Sequence, residues 1–144
     1  MRSMSGNLNA TSYFVDSNIW LYAFIQSQDV NKHAIANQLV QSGTIFISTQ
    51  VINEVCINLI RKAAFSEQQI YSLVAAFYQM HTVIEPGIDI ILKASDFRSK
   101  YLFSFWDSLI VATAIQAGAD ILISEDMQNG LIIEEKLEIK NPFL

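Results

Sequence analysis

The chain has 144 residues, of which 51% are hydrophobic and 16% charged, and its formal net charge at pH 7 is −5. This length fits one domain with a substantial core. The low charged fraction and a mean hydropathy of +0.28 predict an apolar surface that meets another chain. The negative charge argues against broad, nonspecific nucleic-acid binding, although it does not exclude a nucleic-acid enzyme whose acidic centre is neutralised by metal.

The sequence predicts a cytoplasmic protein without membrane contact. Its single cysteine, Cys56, excludes an intrachain disulfide and fits a reducing compartment. The longest uncharged apolar stretch, residues 108–119, is too short to cross a bilayer, and the first ten residues lack a signal-peptide core. We expect residues 1–12 to form a flexible N-terminal extension and residues 13–144 to form a single domain.

The first half of the chain alternates between short apolar runs and helical patterns. A strand is predicted at residues 13–15, followed by a capping segment, Asp16-Ser17-Asn18, and a short apolar helix. Helical spacing covers residues 29–42, and a β-branched second strand covers residues 44–47. Ser48 or Thr49 can cap a helix over residues 50–64.

The second half continues the same alternation. Ser66 and Gln69 form a predicted capping box, and a third strand covers residues 81–84. Further helices are expected over residues 88–100 and from Ser104 to Gly118. A fourth strand covers residues 120–124, and residues 137–139 are a candidate edge strand. Alternating strands and helices predict an α/β fold with a parallel sheet covered on both faces.

Four acidic residues flank or interrupt apolar runs, and they are the main candidates for chemistry: Asp16, Glu54, Asp107 and Asp126. Asp16 and Asp126 follow predicted parallel strands, at the sheet edge where α/β proteins bind ligands. Glu54 and Asp107 lie within apolar helices, where an unpaired charge is costly. If Ser104 caps its helix, backbone N–H groups favour the ionised form of Asp107.

Four carboxylates without neighbouring Lys or Arg suggest a Mg²⁺ or Mn²⁺ site, because these ions prefer hard oxygen ligands. Such a site suits phosphodiester hydrolysis. His33 and His81 are too far apart in sequence for a zinc motif. Each acid taken alone also fits a structural role as a cap, a turn or a solvated residue; the metal interpretation depends on the set of four.

Four segments in this order resemble a PIN-domain ribonuclease of the VapC-like toxin type. They are Phe14-Val15-Asp16-Ser17-Asn18, Ile47-Ser48-Thr49-Gln50-Val51-Ile52-Asn53-Glu54, Ser104-Phe105-Trp106-Asp107-Ser108-Leu109-Ile110-Val111-Ala112 and Ile123-Ser124-Glu125-Asp126-Met127-Gln128-Asn129-Gly130. Lys140-Asn141-Pro142-Phe143 also resembles the ending of one PIN subgroup. The similarity spans residues 13–143, and its specificity comes from the order of the segments.

The resemblance implies a three-layer α/β/α sandwich with a short, mainly parallel sheet. It also implies a metal-dependent RNA endonuclease with Asp16, Glu54, Asp107 and Asp126 as catalytic acids. Asp16 and Asp107 match the positions that most often bind Mg²⁺ or Mn²⁺ directly. Ser124 matches a hydroxyl that orients a ligand or water. Glu125 or Asp126 could face the metal, and we favour Asp126.

The implied partners are an RNA substrate, a cognate antitoxin that covers the pocket, and a second toxin chain in a homodimer. Apolar residues near Asp16, namely Ile19, Trp20, Tyr22 and Phe24, are either an antitoxin surface or a buried core helix. The basic residues Arg61, Lys62, Arg98 and Lys100 fit ordinary helix C-terminal charge better than RNA guidance.

Three alternatives compete with this interpretation. A receiver domain needs an acidic pair after the first strand and a late lysine, but the first strand ends in one acid and no lysine follows the fourth strand in the needed place. A haloacid-dehalogenase-type phosphatase needs Asp-x-Asp, but Asn18 occupies the third position. A catalytically inactive PIN-like module that only binds a protein would retain the fold, although the presence of all four acids counts against it.

Overall fold

The computed structural model describes residues 11–144, which form six strands and six α-helices. In chain order they are β1 (Ser12–Val15), α1 (Ser17–Phe24), α2 (Val30–Leu39), β2 (Thr44–Ser48), α3 (Thr49–Ala63), α4 (Glu67–Met80), β3 (Thr82–Ile84), α5 (Ile88–Lys100), α6 (Phe105–Ala117), β4 (Ile121–Ile123), β5 (Ile132–Ile133) and β6 (Leu137–Lys140). The predicted N-terminal extension lies outside the described residues, apart from its last two positions; of these, Ser12 begins β1.

The six strands form one sheet in the order β3-β2-β1-β4-β6-β5. All neighbouring pairs are parallel except β5 and β6, which are antiparallel. The chain places β2 on one side of β1 and β4 on the other, so the direction of winding reverses between β1 and β4. Ligand crevices in open α/β sheets form at the carboxyl ends of strands at this type of reversal.

Helices cover both faces of the sheet. Phe14 and Val15 are consecutive strand residues whose side chains point to opposite faces, and both are fully buried. Leu122 and Ile123 repeat this pattern in the neighbouring strand. A strand that is buried on both faces reads as a continuous apolar run, which is how these segments appear in the sequence. The predicted three-layer α/β/α sandwich with a mainly parallel sheet is confirmed.

Side-chain caps fix the start of the helices that carry the candidate residues. The Ser48 hydroxyl accepts a hydrogen bond from Val51 N at the start of α3, and Ser104 caps α6 in the same way through Asp107 N. Ser66 and Gln69 form both bonds of a capping box at α4. Gly118 ends α6 with a φ of 80°, a left-handed conformation that glycine adopts without strain.

The short helix α1 lies in the core. Ile19 is fully buried, and Trp20 is nearly so, with its indole N–H donating to Val15 O at 3.1 Å. Trp20 also packs edge-on against Phe77 of α4, with ring centroids 5.0 Å apart. Of the two interpretations of this apolar run, the core helix is therefore the one that the packing supports for Ile19 and Trp20.

Strand β5 was not predicted from the sequence, and it takes the edge position that was expected for residues 137–139, which lie in β6 between β4 and β5. A hydrogen bond from Lys136 N to Ile133 O, 3.0 Å long, closes a turn between β5 and β6. Its central residues, Glu134 and Glu135, have φ values of 53° and 56°. Hairpin turns of this kind normally use Asn or Gly, so two glutamates conceal the turn from pattern reasoning. No helix in residues 11–144 has both the length and the apolarity needed to cross a bilayer.

Candidate metal centre

The parallel register places Asp16 and Ser124 side by side at the winding reversal. Val15 of β1 pairs with Ile123 of β4, so the next residue of each strand leaves the sheet at the same edge. Asp16 N donates to Ile123 O at 3.0 Å, and the Ser124 hydroxyl donates to Asp16 Oδ2 at 2.8 Å. The pairing of β1 with β4 is therefore sufficient to place Asp16 beside Ser124, without a contribution from any helix.

Asp16 is a buried carboxylate that receives hydrogen bonds but forms no ion pair with any side chain of residues 11–144. Its side chain is 5% exposed, and its Oδ1 accepts from Ser17 N at 2.7 Å. Burial raises the pKa of Asp16 from 3.8 to about 6, against the lowering effect of the bonds from Ser124 and Ser17. The negative charges of Glu54 and Asp107 contribute to this rise. Both carboxylates therefore lie close enough to Asp16 to repel its charge.

Glu54 faces Asp16 from helix α3. Ser17 connects the two acids, because its backbone N–H binds Asp16 and its hydroxyl donates to Glu54 Oε2 at 3.1 Å. Gln50 lies one turn earlier on α3 and donates from Nε2 to Glu54 Oε1 at 3.2 Å. Both carboxylate oxygens of Glu54 thus have a neutral donor, which orients the side chain without cancelling its charge.

Asp107 occupies the first turn of α6, as predicted, but its electrostatic setting differs from the expectation. Burial raises the pKa of Asp107, the Ser104 hydroxyl lowers it, and the negative charge of Asp126 raises it. The helix start was expected to favour the ionised form. Desolvation outweighs that effect at this half-buried position, so a cation beside Asp107 would stabilise its ionised form.

Asp126 and Glu125 point in different directions from the loop after β4. Asp126 is exposed and accepts a hydrogen bond from Asn18 Nδ2 at 2.9 Å. The carboxylate of Glu125 instead forms an ion pair with Lys32 and accepts from the Tyr22 hydroxyl at 2.8 Å. Of these two neighbouring acids, only Asp126 interacts electrostatically with Asp107, which supports the choice of Asp126.

The donor chemistry of the cluster fits a hard divalent cation. Within residues 11–144, none of the four acids forms an ion pair. In the same part of the chain, no three His, Cys, Asp or Glu side chains converge closely enough to hold a metal ion by themselves. Mg²⁺ is usually held by one or two carboxylates with several waters. A pair of these acids, such as Asp16 and Asp107, therefore fits a hydrated ion, whereas a compact cage of three protein ligands is absent from the described residues.

Two cavities flank the acidic cluster. One, of about 670 Å³, is bordered by Glu54 and includes Gln50 and Trp106 in its wall. The other, of about 320 Å³, includes both Asp107 and Asp126. Because each cavity contains part of the acidic set, an extended ligand that spans both would cross the carboxylates between them.

Three polar residues of the cluster were not recognised as candidates in the sequence analysis: Ser17, Asn18 and Gln50. Ser17 and Asn18 directly follow Asp16 and were interpreted only as capping residues. Gln50 precedes Glu54 by four positions, so both project from the same face of α3, and this spacing is a signal that the sequence carries. Arg98 donates to the Ser108 hydroxyl at 2.7 Å and lies over the Phe105 ring, which agrees with a structural role.

The family model of the PIN domain matches residues 13–128 of this chain. The chain belongs to the PIN domain family. The matched segment includes Asp16, Glu54, Asp107 and Asp126, and it ends shortly after the fourth acid. The family part of the sequence resemblance is therefore confirmed. No protein of curated function matches the chain significantly in sequence.

Solved structures with the same fold include three toxin proteins or complexes. The chain is similar to VapC20 of Mycobacterium tuberculosis, described as a Sarcin-Ricin loop cleaving toxin, with a TM-score of 0.63 and 20% identity over 76% of this chain and 86% of that one. A toxin–antitoxin complex from Klebsiella pneumoniae gives a TM-score of 0.68 at 20% identity, covering 90% and 97% of the two chains. VapBC2 from Rickettsia felis, bound to a promoter DNA fragment, gives 0.62 at 20%, covering 91% and 100%. At these identities the similarity establishes the fold.

Proposed function

We propose that this PIN domain, residues 13–144, is a divalent-metal-dependent RNA endonuclease and the toxin of a toxin–antitoxin pair. The observation that carries the proposal is the buried Asp16 carboxylate at the winding reversal. It lies close to the negative charges of Glu54 and Asp107, and within the part of the chain that the structure describes it forms no ion pair. A cluster of this kind is stable in its ionised form when a metal ion supplies the missing positive charge.

Asp16 and Asp107 are the proposed direct ligands, and Glu54 and Asp126 are proposed to act through water or on a second ion. A bound Mg²⁺ or Mn²⁺ would supply positive charge to a phosphate group under attack by water. The chain itself contributes orientation. Ser124 and Ser17 hold the two oxygens of Asp16, and Asn18 holds Asp126.

The partners proposed are a cognate antitoxin and a second copy of this chain. Two observations support a protein partner. Large apolar side chains are exposed on helices, including Met80 and Ile88, and in the loop before α6, where Leu102 lies, and patches of such residues commonly mark interfaces. In addition, two of the similar structures are described as toxin–antitoxin assemblies. An antitoxin helix in an apolar groove would follow a common mode of recognition.

RNA cleavage by the purified, antitoxin-free chain tests the proposal. We expect cleavage in Mg²⁺ or Mn²⁺, none in EDTA, and a loss of at least about a hundredfold in Asp16→Asn and Asp107→Asn, because each removes charge from the proposed ligand set. Asp96→Asn, an exposed acid on α5, is the matched control and should cleave normally. A chain that neither cuts RNA nor binds a divalent ion would be an inactive binding module, and the proposal would be wrong.

A further inference from the structure

The larger cavity beside the acidic cluster is lined mostly by side chains that have no role in the proposed metal-dependent cleavage. It is a groove of about 670 Å³ between the starts of α3 and α6, and it is bordered by Pro86 and Ile91 on its far side. Its volume lies in the range of sites that bind small organic groups. Glu54 is the one acid in its wall, and Trp106 contributes an aromatic ring.

Trp106 is exposed despite its size, and its ring packs against a neighbouring aromatic side chain. Its side chain is 61% exposed, whereas the other tryptophan, Trp20, is 2% exposed. The Phe105 ring packs edge-on against Trp106, with centroids 5.4 Å apart, and the Arg98 guanidinium lies 4.3 Å from the Phe105 centroid. The exposed indole is therefore held in place by Phe105, which itself packs against Arg98. It forms a flat apolar surface one residue before Asp107.

Gln50, in the wall of the same groove, has a side-chain oxygen without a hydrogen-bond partner. Its Oε1 is buried and has no hydrogen-bond partner, and it is the only such side-chain atom found among residues 11–144. The orientation of the amide is fixed, because Nε2 donates to Glu54 Oε1 at 3.2 Å and to Trp106 O at 3.4 Å. The oxygen has no exposed surface, so a ligand N–H reaches it only when a neighbouring side chain of the groove shifts. The hydrogen bond would then be favourable, because a buried carbonyl oxygen without a donor is energetically costly.

We propose that this groove binds one unpaired nucleobase of the RNA, stacked on Trp106 and hydrogen-bonded to Gln50 Oε1. The inference rests on the proposed ribonuclease function and adds a subsite to it. A nucleobase combines a flat π-surface with N–H donors on its edge, so one rigid ring can satisfy both wall features. A peptide helix could also cover the indole, but its backbone N–H groups are already bonded within the helix, so a donor would have to come from a second side chain. A base carries the aromatic face and the N–H donor in one rigid ring.

The position of the groove also fits a nucleotide next to the cleaved bond. Glu54 belongs to both the groove and the acidic cluster. A base in the groove would place its sugar-phosphate at the carboxylates, and the chain could continue into the second cavity beside Asp107 and Asp126. Stacking on an aromatic side chain accepts any base, so this subsite selects single-stranded RNA more strongly than it selects a sequence.

Tryptophan fluorescence tests the subsite directly, because Trp106 is exposed and Trp20 is buried. The full chain carrying Asp16→Asn, which prevents turnover, would be titrated in Mg²⁺ with single-stranded octaribonucleotides of each base. We expect saturable quenching of the emission. Trp106→Phe should abolish the quenching while retaining most of the binding, as measured by anisotropy of a labelled octanucleotide. Trp106→Ala should weaken binding by about ten- to a hundredfold.

Tyr71→Ala is the matched control, since Tyr71 is an exposed aromatic residue on α4, away from the groove; it should leave binding unchanged. RNA binding without quenching, or an undiminished affinity in Trp106→Ala, would overturn the subsite. Quenching by an amphipathic Leu/Lys helical peptide but not by RNA would overturn it in favour of a protein-docking surface. The nuclease proposal is judged separately, by metal-dependent cleavage in the wild-type chain, so either idea can fail without the other.

Discussion

Replacing Asp16 with Asn should abolish cleavage and yet stabilise the fold at neutral pH. The reason is that folding raises the pKa of Asp16 from 3.8 to about 6, chiefly through burial. At any pH above the folded value, the ionised carboxylate is less stable in the folded chain than in the unfolded one. Asparagine has the same shape without the charge, and it can keep the hydrogen bond from Ser17 N.

The shift of roughly two pKa units, at about 1.36 kcal/mol per unit, corresponds to about 3 kcal/mol. For a chain of this length, that gain in the free energy of unfolding raises the Tm by roughly 5–10 °C. The sign depends on pH. The gain is fully present above the folded pKa, shrinks as the pH falls from about 6 towards 3.8, and is absent below the unfolded value.

Thermal and urea unfolding of the wild type and Asp16→Asn, in EDTA at about pH 7.5 and at about pH 4, would measure this difference. EDTA is required because a bound ion would stabilise only the wild type. Asp96→Asn serves as the control for removing an exposed negative charge. If Asp16→Asn is no more stable than the wild type at the higher pH, or if the gain is equal at both pH values, the described electrostatics of Asp16 are wrong.

Two further substitutions test how the cluster is held. Ser124→Ala removes the hydrogen bond to Asp16 Oδ2, so the pKa of Asp16 should rise further and the acid limb of the pH–rate profile should move to higher pH; an unchanged profile would refute the role of Ser124. Lys32→Met removes the ion pair with Glu125, which anchors the loop carrying Asp126, and should slow cleavage by up to about tenfold with the fold intact. Lys93→Met breaks the separate pair with Glu134 and should leave the rate unchanged, whereas equal losses in both variants would show that Lys32 has no specific effect.

Much of the fold was predictable because local signals and tertiary structure agree. The apolar runs at Phe14-Val15 and Leu122-Ile123 are continuous because both faces of the sheet are covered. The caps at Ser66 and Ser104 mark the starts of α4 and α6 directly. Strand β5 was not predicted because its turn uses two glutamates with positive φ. Only the pairing of β5 with β6 imposes this conformation on them.

The electrostatics of the candidate acids were less predictable from the sequence than their positions. Asp16 and Asp126 stood out because each follows a strand, and Glu54 and Asp107 because they lie within apolar helical patterns. The raised pKa of Asp107 and the engagement of Glu125 by Lys32 depend on burial and long-range contacts. The separation of Lys32 and Glu125 by 93 positions leaves no local pattern. The same holds for Gln50 and Trp106, which meet only in the folded groove.

Calorimetric titration of Mn²⁺ into the purified chain most directly tests whether the acidic cluster is a metal centre. We expect saturable binding by the wild type and by Glu125→Gln, whose carboxylate faces Lys32, and strongly weakened binding by Asp16→Asn and Asp107→Asn. Equal Mn²⁺ affinity in all four proteins, or no binding by the wild type, would contradict the assignment of these carboxylates as ligands.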